Sequence, residues 1–272
     1  MSRLISSTKL TESDLKILTH AKQQMEEIGW AMKGLNSIGN IIQNKVELLP
    51  QKQQKWLQEV SYNALQKVVK TNLLSMKTNK PVTAPLNNAY KALVTSSGIL
   101  GGTFGVIAFS ADLAVATKFM MRSIMDIARS EGEDLTELDT QLACLQVFAL
   151  GGKSKHDDHL ETLYYATRIT LNTTVKGATS GASKLVGGML KGSSNPLLQI
   201  LGAIASRFSI QVSEKFVAQA IPILGAAGGG AINLAFIHHF QRMAHAHFAI
   251  RRLERTYGEA FIKQSYEGII LN

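Results

Sequence analysis

The stretch Val212–Gly258, VSEKFVAQAIPILGAAGGGAINLAFIHHFQRMAHAHFAIRRLERTYG, decides the fold class. It opens on Ser213, Glu214 and Lys215, runs without a charge from Phe216 to Ile237, and closes in a basic, histidine-rich segment. Phe236, Phe240, Met243, Ile250, Leu253 and Tyr257 recur at the three-to-four spacing of one helix face, and Gly258 supplies the stop. The uncharged run is long enough to span a bilayer, but Gln219, Pro222, Asn233 and the glycines Gly225, Gly228, Gly229 and Gly230 make insertion marginal. The proline and glycines predict two helical pieces joined by a close-packed turn.

Outward from this stretch the helical rhythm continues. Thr11-Glu-Ser-Asp14 has the form of a capping box with Asp in place of Glu, opening a helix to about Met32. Trp56, Val60, Ala64, Val68 and Val69 mark another, and most lysines in this region belong on solvated faces. The segment ending at Pro85 is the best internal boundary, between an N-terminal helical region, 1–80, and a helical core, 81–272, continuous with it. Ala92–Ala111 is a second uncharged run, with Gly98, Gly101, Gly102 and Gly105. Its spacing suits close helix packing or interfacial contact, or else a loop between two helices. Asp112 opens a strong helical pattern, and a further helix, Leu138–Leu150, ends at Gly151-Gly152. Thr173–Asn195 reads as a loop or a basic, glycine-bearing helix, and Pro196 starts the next helix. The expectation is an all-α, compact multi-helix bundle with glycine-rich, tightly packed or interfacial helices.

Composition narrows the function classes. Hydrophobic residues make up 45% and charged ones 18% of the 272, too apolar for a disordered chain. The net charge of +9 favours an anionic partner. The single cysteine, Cys144, excludes a disulfide framework and sits in an apolar run as a core thiol. With no signal-peptide pattern at the start, the expected location is cytoplasmic, peripheral at the inner membrane.

No catalytic signature is self-sufficient. Gly152-Lys153-Ser154 lacks the earlier glycine of a phosphate loop, since that position is Val147. His156, Asp157 and His159 are metal-ligand types, but adjacent residues on one short turn cannot converge, so no metal and no cofactor is expected. His238 and His245 are too far apart along a helix to share a metal ion. Arg122, Asp126 and Arg129 share one helix face as a surface ion-pair ladder, and His247, Arg251 and Glu254 form a second polar network fixing helix register.

Three blocks carry a family resemblance: Ala111–Asp134 with its Arg122-Ser-Ile-Met-Asp126 centre, Leu142–Gly152, and Ala205–Gly258 with Gly225-Ala-Ala-Gly-Gly-Gly and His247-Phe-Ala-Ile-Arg-Arg-Leu-Glu. Together they resemble the EcsC protein family over roughly residues 50–260, so the first helices fall partly outside the strongest match. The resemblance implies a mostly bacterial family named after an operon that encodes a membrane ABC transporter, with a suggested peptidase relationship. No zinc-protease His-Glu-x-x-His, nucleophile elbow or Cys/His pair supports that chemistry.

The expected role is therefore a membrane-associated accessory or interaction protein on the cytosolic face. Its partner is an anionic membrane surface or a membrane protein, with a lipid as a further ligand and no nucleic acid. Arg242, Arg252 and Arg255 are the expected membrane or anion contacts. The rival is a hydrolase built from Asp112, Asp126, Glu133, Glu214, His247 and Glu254, with Arg122, Asp157 and His239 beside them, which requires these groups to converge on one pocket.

Overall fold

A computed structural model describes residues 9–26, 39–72, 84–101, 105–151, 165, 196–220 and 222–271. Among them the fold is all-α: α1 (Glu12–Glu26), α2 (Gly39–Glu47), α3 (Gln51–Asn72), α4 (Asn87–Gly101), α5 (Gly105–Ser130), α6 (Leu138–Gln146), α7 (Pro196–Ala220), α8 (Pro222–Tyr257) and α9 (Glu259–Gly268).

Local signals place the helix ends. The Thr11 hydroxyl accepts the Asp14 N–H at 3.1 Å and donates to the Asp14 carboxylate at 2.7 Å, so the Asp-for-Glu capping box forms. Pro196 and Pro222 each take the first position of a helix, where the missing N–H would have no helical partner. The helix read as Leu138–Leu150 runs to Gln146 and tightens into a 3-10 turn, Val147–Ala149. Gly151 follows with φ +71°, the left-handed conformation of a helix stop.

The break in the decisive stretch lies elsewhere than its glycines suggest. It falls between Ala220 and Pro222, and Gly225–Gly230 continue as helix. A proline ends a helix because it clashes with the preceding turn, whereas glycine costs only about 1 kcal/mol each, which packing offsets. The resulting α8 has 36 residues and is about 54 Å long. It is the central helix, packed against α1, α4, α5, α7 and α9. Between Ile232 and Leu253 only Leu234 and His238 are exposed, which explains why its sequence is apolar nearly all round. The Ala92–Ala111 run likewise separates into the end of α4 and the start of α5.

One hydrophobic cluster runs from Leu18 on α1 to Tyr266 on α9. Phe148, Phe208, Phe236 and Phe240 form its aromatic heart, with centroids 5.1–6.2 Å apart. Trp56, Phe109 and Phe216 form a second group joining α3, α5 and α7. Lys22 departs from the solvated faces expected of the N-terminal lysines. It is fully buried, and its ammonium donates to the carbonyls of Tyr266 (3.0 Å) and Ile269 (2.7 Å) at the negative end of α9. Among the described residues no helix is long and apolar enough to cross a membrane.

Candidate functional site

Helices α5 and α8 run parallel, and three polar layers connect them at nearly constant offset. Asn233 meets Asp112, Gln241 meets Ser123, and Arg251 meets Glu133, with sequence separations of 121, 118 and 118. The short connection between α4 and α5 makes α4 antiparallel to both, so it joins the same layers.

The first layer is the most deeply buried. Lys215 on α7 donates to Asp112 Oδ2 at 2.6 Å, with side-chain exposures of 0% and 1%. Asn233 Nδ2 reaches Asp112 Oδ1 and the Val94 carbonyl, both at 2.9 Å. The Lys215 ammonium also lies 5.7 and 5.2 Å from the ring centres of Phe109 and Phe236. Burial pulls the Lys215 pKa down, and the neighbouring carboxylate opposes it.

In the middle layer Gln241 donates to the Asn87 carbonyl (3.0 Å) and the Ser123 hydroxyl (2.9 Å), while Asn87 also hydrogen-bonds His245 at 3.0 Å. Asp126 turns inward: it accepts from Tyr90 at 2.9 Å and pairs with Arg129. Burial and that carboxylate push the Tyr90 hydroxyl up to about 12. The expected surface ladder is thus half interior, and Arg122 stays on the exposed face.

The third layer ties α8 to the turn after α5. Arg251 grips Glu133 through Nε (2.9 Å) and Nη2 (3.1 Å) and reaches Asp139 at 2.7 Å. Glu133 also pairs with Arg255 and accepts from Thr140 at 2.9 Å, and these donors hold its carboxyl below the usual range despite burial. Arg252 pairs with Glu131 at 2.8 Å. The anticipated link from Arg251 to Glu254 on its own helix is replaced by these partners from the turn after α5 and from α6. Glu254 accepts from Tyr165 at 3.3 Å instead, and His247 is fully buried edge-on to Phe248.

The hydrolase candidates therefore do not gather. Asp112 and Asp126 lie 14 residues apart on one helix, about 21 Å. Glu133 lies beyond that helix in a layer of its own, and Glu214 is half-buried on α7. His156, Asp157 and His159 lie outside the described residues, and among those described no group of three metal-binding side chains occurs. Cys144 is buried, the core thiol its apolar run predicts, and burial pushes its thiol pKa well up.

His239 is a buried polar group that the sequence treated only as a spare candidate. Among the described residues its Nε2 has no hydrogen-bond partner, and burial pulls its pKa down to about 4. The ring covers Gly151, where a Cβ would come within 2.5 Å of Cε1. The residues that sequence reasoning missed are Lys215, Asn233, Gln241 and Asn87. Of these only Asn233 carries a signal, a lone polar side chain in an apolar helical run, which must find a partner.

A groove of 520 Å³ opens between α1 and α8. Arg242 and Arg252 stand on its α8 wall with His245, and Lys16 and His20 stand on its α1 wall. Ala21, Ala246 and Ala249 leave it open at the floor. Burial lowers the pKa of Arg242 and of His245. Arg255, the third expected anion contact, is instead committed to Glu133 and to the Glu131 carbonyl at 2.5 Å.

The model of the EcsC protein family matches residues 12–253, a span that begins at α1 and reaches the third layer. No curated protein and no solved structure matches the chain.

Proposed function

The chain belongs to the EcsC protein family, and on that premise we propose that it works as an accessory or interaction protein at the cytosolic face of an anionic membrane. The observation that carries this reading is the placement of four of the eight large apolar side chains exposed among the described residues. The Val94–Asn233–Asp112 contact fixes one level of α4, α5 and α8. Leu93, Leu234 and Val115 are 41–47% exposed within a turn of that level, and Ile107 is 86% exposed on the next turn of α5. Along the exposed stripe of α5, Ile107, Ala111 and Val115 give way to Lys118 and Arg122. From Leu86 to Met125 the one acidic residue is Asp112, buried against Lys215.

An apolar tip with cations one to three turns behind it suits shallow insertion among acyl chains beneath anionic headgroups. Each basic residue near such a surface contributes about 1 kcal/mol. In this reading Lys118 and Arg122 face the headgroups, while Arg252 and Arg255 serve the third layer. A hydrolytic role has less support, because Asp112, Asp126 and Glu133 sit in separate layers, each with its own cation.

Co-sedimentation with phosphatidylcholine vesicles, with and without phosphatidylserine, tests the reading. The chain should pellet with the anionic vesicles at low salt, and Ile107→Asp with Val115→Asp should abolish it without changing the circular dichroism. No pelleting with the anionic vesicles at low salt, or unchanged pelleting of the variant, would refute it.

A further inference from the structure

We propose that the groove between α1 and α8 is a binding site for a small ligand carrying a phosphate monoester. The site stands apart from the apolar tip. Arg242 and Arg252 follow Asn233 by 9 and 19 residues on α8, about 14 and 28 Å along its axis. The proposal therefore does not rest on the membrane reading.

The arrangement follows from two helix faces. On α8, Arg242, His245, Ala249 and Arg252 recur at spacings of three and four, so they line one wall. On α1, Ser13, Lys16, His20 and Gln24 do the same opposite them. The hydrogen bond from the Tyr257 hydroxyl to Asp14, 2.6 Å, and the Lys22 clamp on α9 hold the α1 wall in place. The small side chains of Ala21, Ala246 and Ala249 keep the walls apart where a leucine would close them.

The volume and the charge point to the same ligand. A space of 520 Å³ lies within the range of small-molecule sites and accommodates a phosphate with a compact organic body. The lining includes three permanent cations, Lys16, Arg242 and Arg252, and one carboxylate, Glu131. Glu131 is held by Arg252 at 2.8 Å and Lys16 by Glu12 at 2.6 Å. With Glu12 counted beside the lysine it pairs, the site keeps a net charge of +1 (three cations less two carboxylates), the sign that draws a phosphate monoester near neutral pH. Guanidinium groups present paired N–H donors that fit phosphate oxygens, and the Ser13 hydroxyl, the Gln24 amide and the imidazoles add further donors. The alanine floor and Ile17 offer an apolar seat for the rest of the molecule.

Calorimetry on the full chain with phenyl phosphate and with inorganic phosphate tests this, alongside sedimentation with phosphatidylcholine vesicles with and without phosphatidic acid. Phenyl phosphate should bind more tightly than inorganic phosphate because its ring reaches the floor. The double variant Lys16→Gln, Arg242→Gln should weaken it about 10-fold or more, as expected for a lost charge-assisted hydrogen bond. Ala249→Leu keeps every charge, adds bulk at a half-buried position and should block binding. Binding confined to phosphatidic acid vesicles and lost in Ala249→Leu would identify the phosphate as a lipid headgroup. Binding of the soluble phosphates lost in that variant would identify a free ligand. Absence of binding to every probe, or binding that both variants leave unchanged, would overturn the site.

Discussion

Removing one member of the Asp112–Lys215 pair should cost far more than removing both. In Asp112→Asn the Lys215 ammonium stays fully buried, beside two aromatic faces and an amide. Its escape is to lose the proton, and bringing a lysine from an ordinary pKa of about 10.4 to neutrality at pH 7 costs about 4.6 kcal/mol, which caps the penalty. In Lys215→Met the Asp112 carboxylate keeps its Asn233 bond but loses its cation. Protonating it at pH 7 from about 3.9 costs about 4 kcal/mol. Both figures agree with the roughly 3–5 kcal/mol typical of a broken buried pair. The double variant Asp112→Asn, Lys215→Met leaves no buried charge and should fall within about 2 kcal/mol of the parent. Urea denaturation followed by circular dichroism gives all four stabilities and hence the coupling. The pH dependence supplies a signature. In Asp112→Asn the unfolded state holds the extra proton, so the penalty shrinks as pH rises towards the lysine range. In Lys215→Met the folded state holds it, so the penalty shrinks as pH falls. Single variants that each lose less than about 1 kcal/mol, and add in the double, would show that the pair does not share a dry layer.

Two further outcomes follow from the His239 region. Gly151→Ala meets both a positive φ, costing about 1–2 kcal/mol, and a Cβ within 2.5 Å of the His239 ring and 2.8 Å of Met243 Sδ, adding about 1–3 kcal/mol of overpacking. Gly132→Ala, with φ +82° and its nearest contact at 3.6 Å, should show the backbone part alone, so equal shifts in urea midpoint would contradict the packing. His239 itself, held neutral down to about pH 4, takes up its proton more readily when unfolded. Its contribution is complete above about pH 6.5 and declines below it, by about 2 kcal/mol between pH 7 and 5. His239→Gln should flatten that part of the stability profile, and an unchanged slope would place the acid sensitivity elsewhere.

What the chain alone determined is local. The Thr11–Asp14 cap, the helix start at Pro196, the stop at Gly258 and the buried stripe of α8 all rest on interactions within four residues, which periodicity and capping chemistry report directly. The family resemblance came from the same strings of residues. The partners of the polar side chains were not legible in this way. Arg251 was paired with Glu254, three residues on, because only helical neighbours can be counted from a sequence, yet its carboxylates lie 118 and 112 residues away. Asp112 meets Lys215 and Asn233 across separations of 103 and 121. Those meetings depend on α5 and α8 lying parallel at one register, which the packing of α4, α7 and the aromatic core sets and no single helix encodes. For the same reason Arg242 and Arg252 appeared only as loose cations of a basic tail, until α1 folded across them and made a groove.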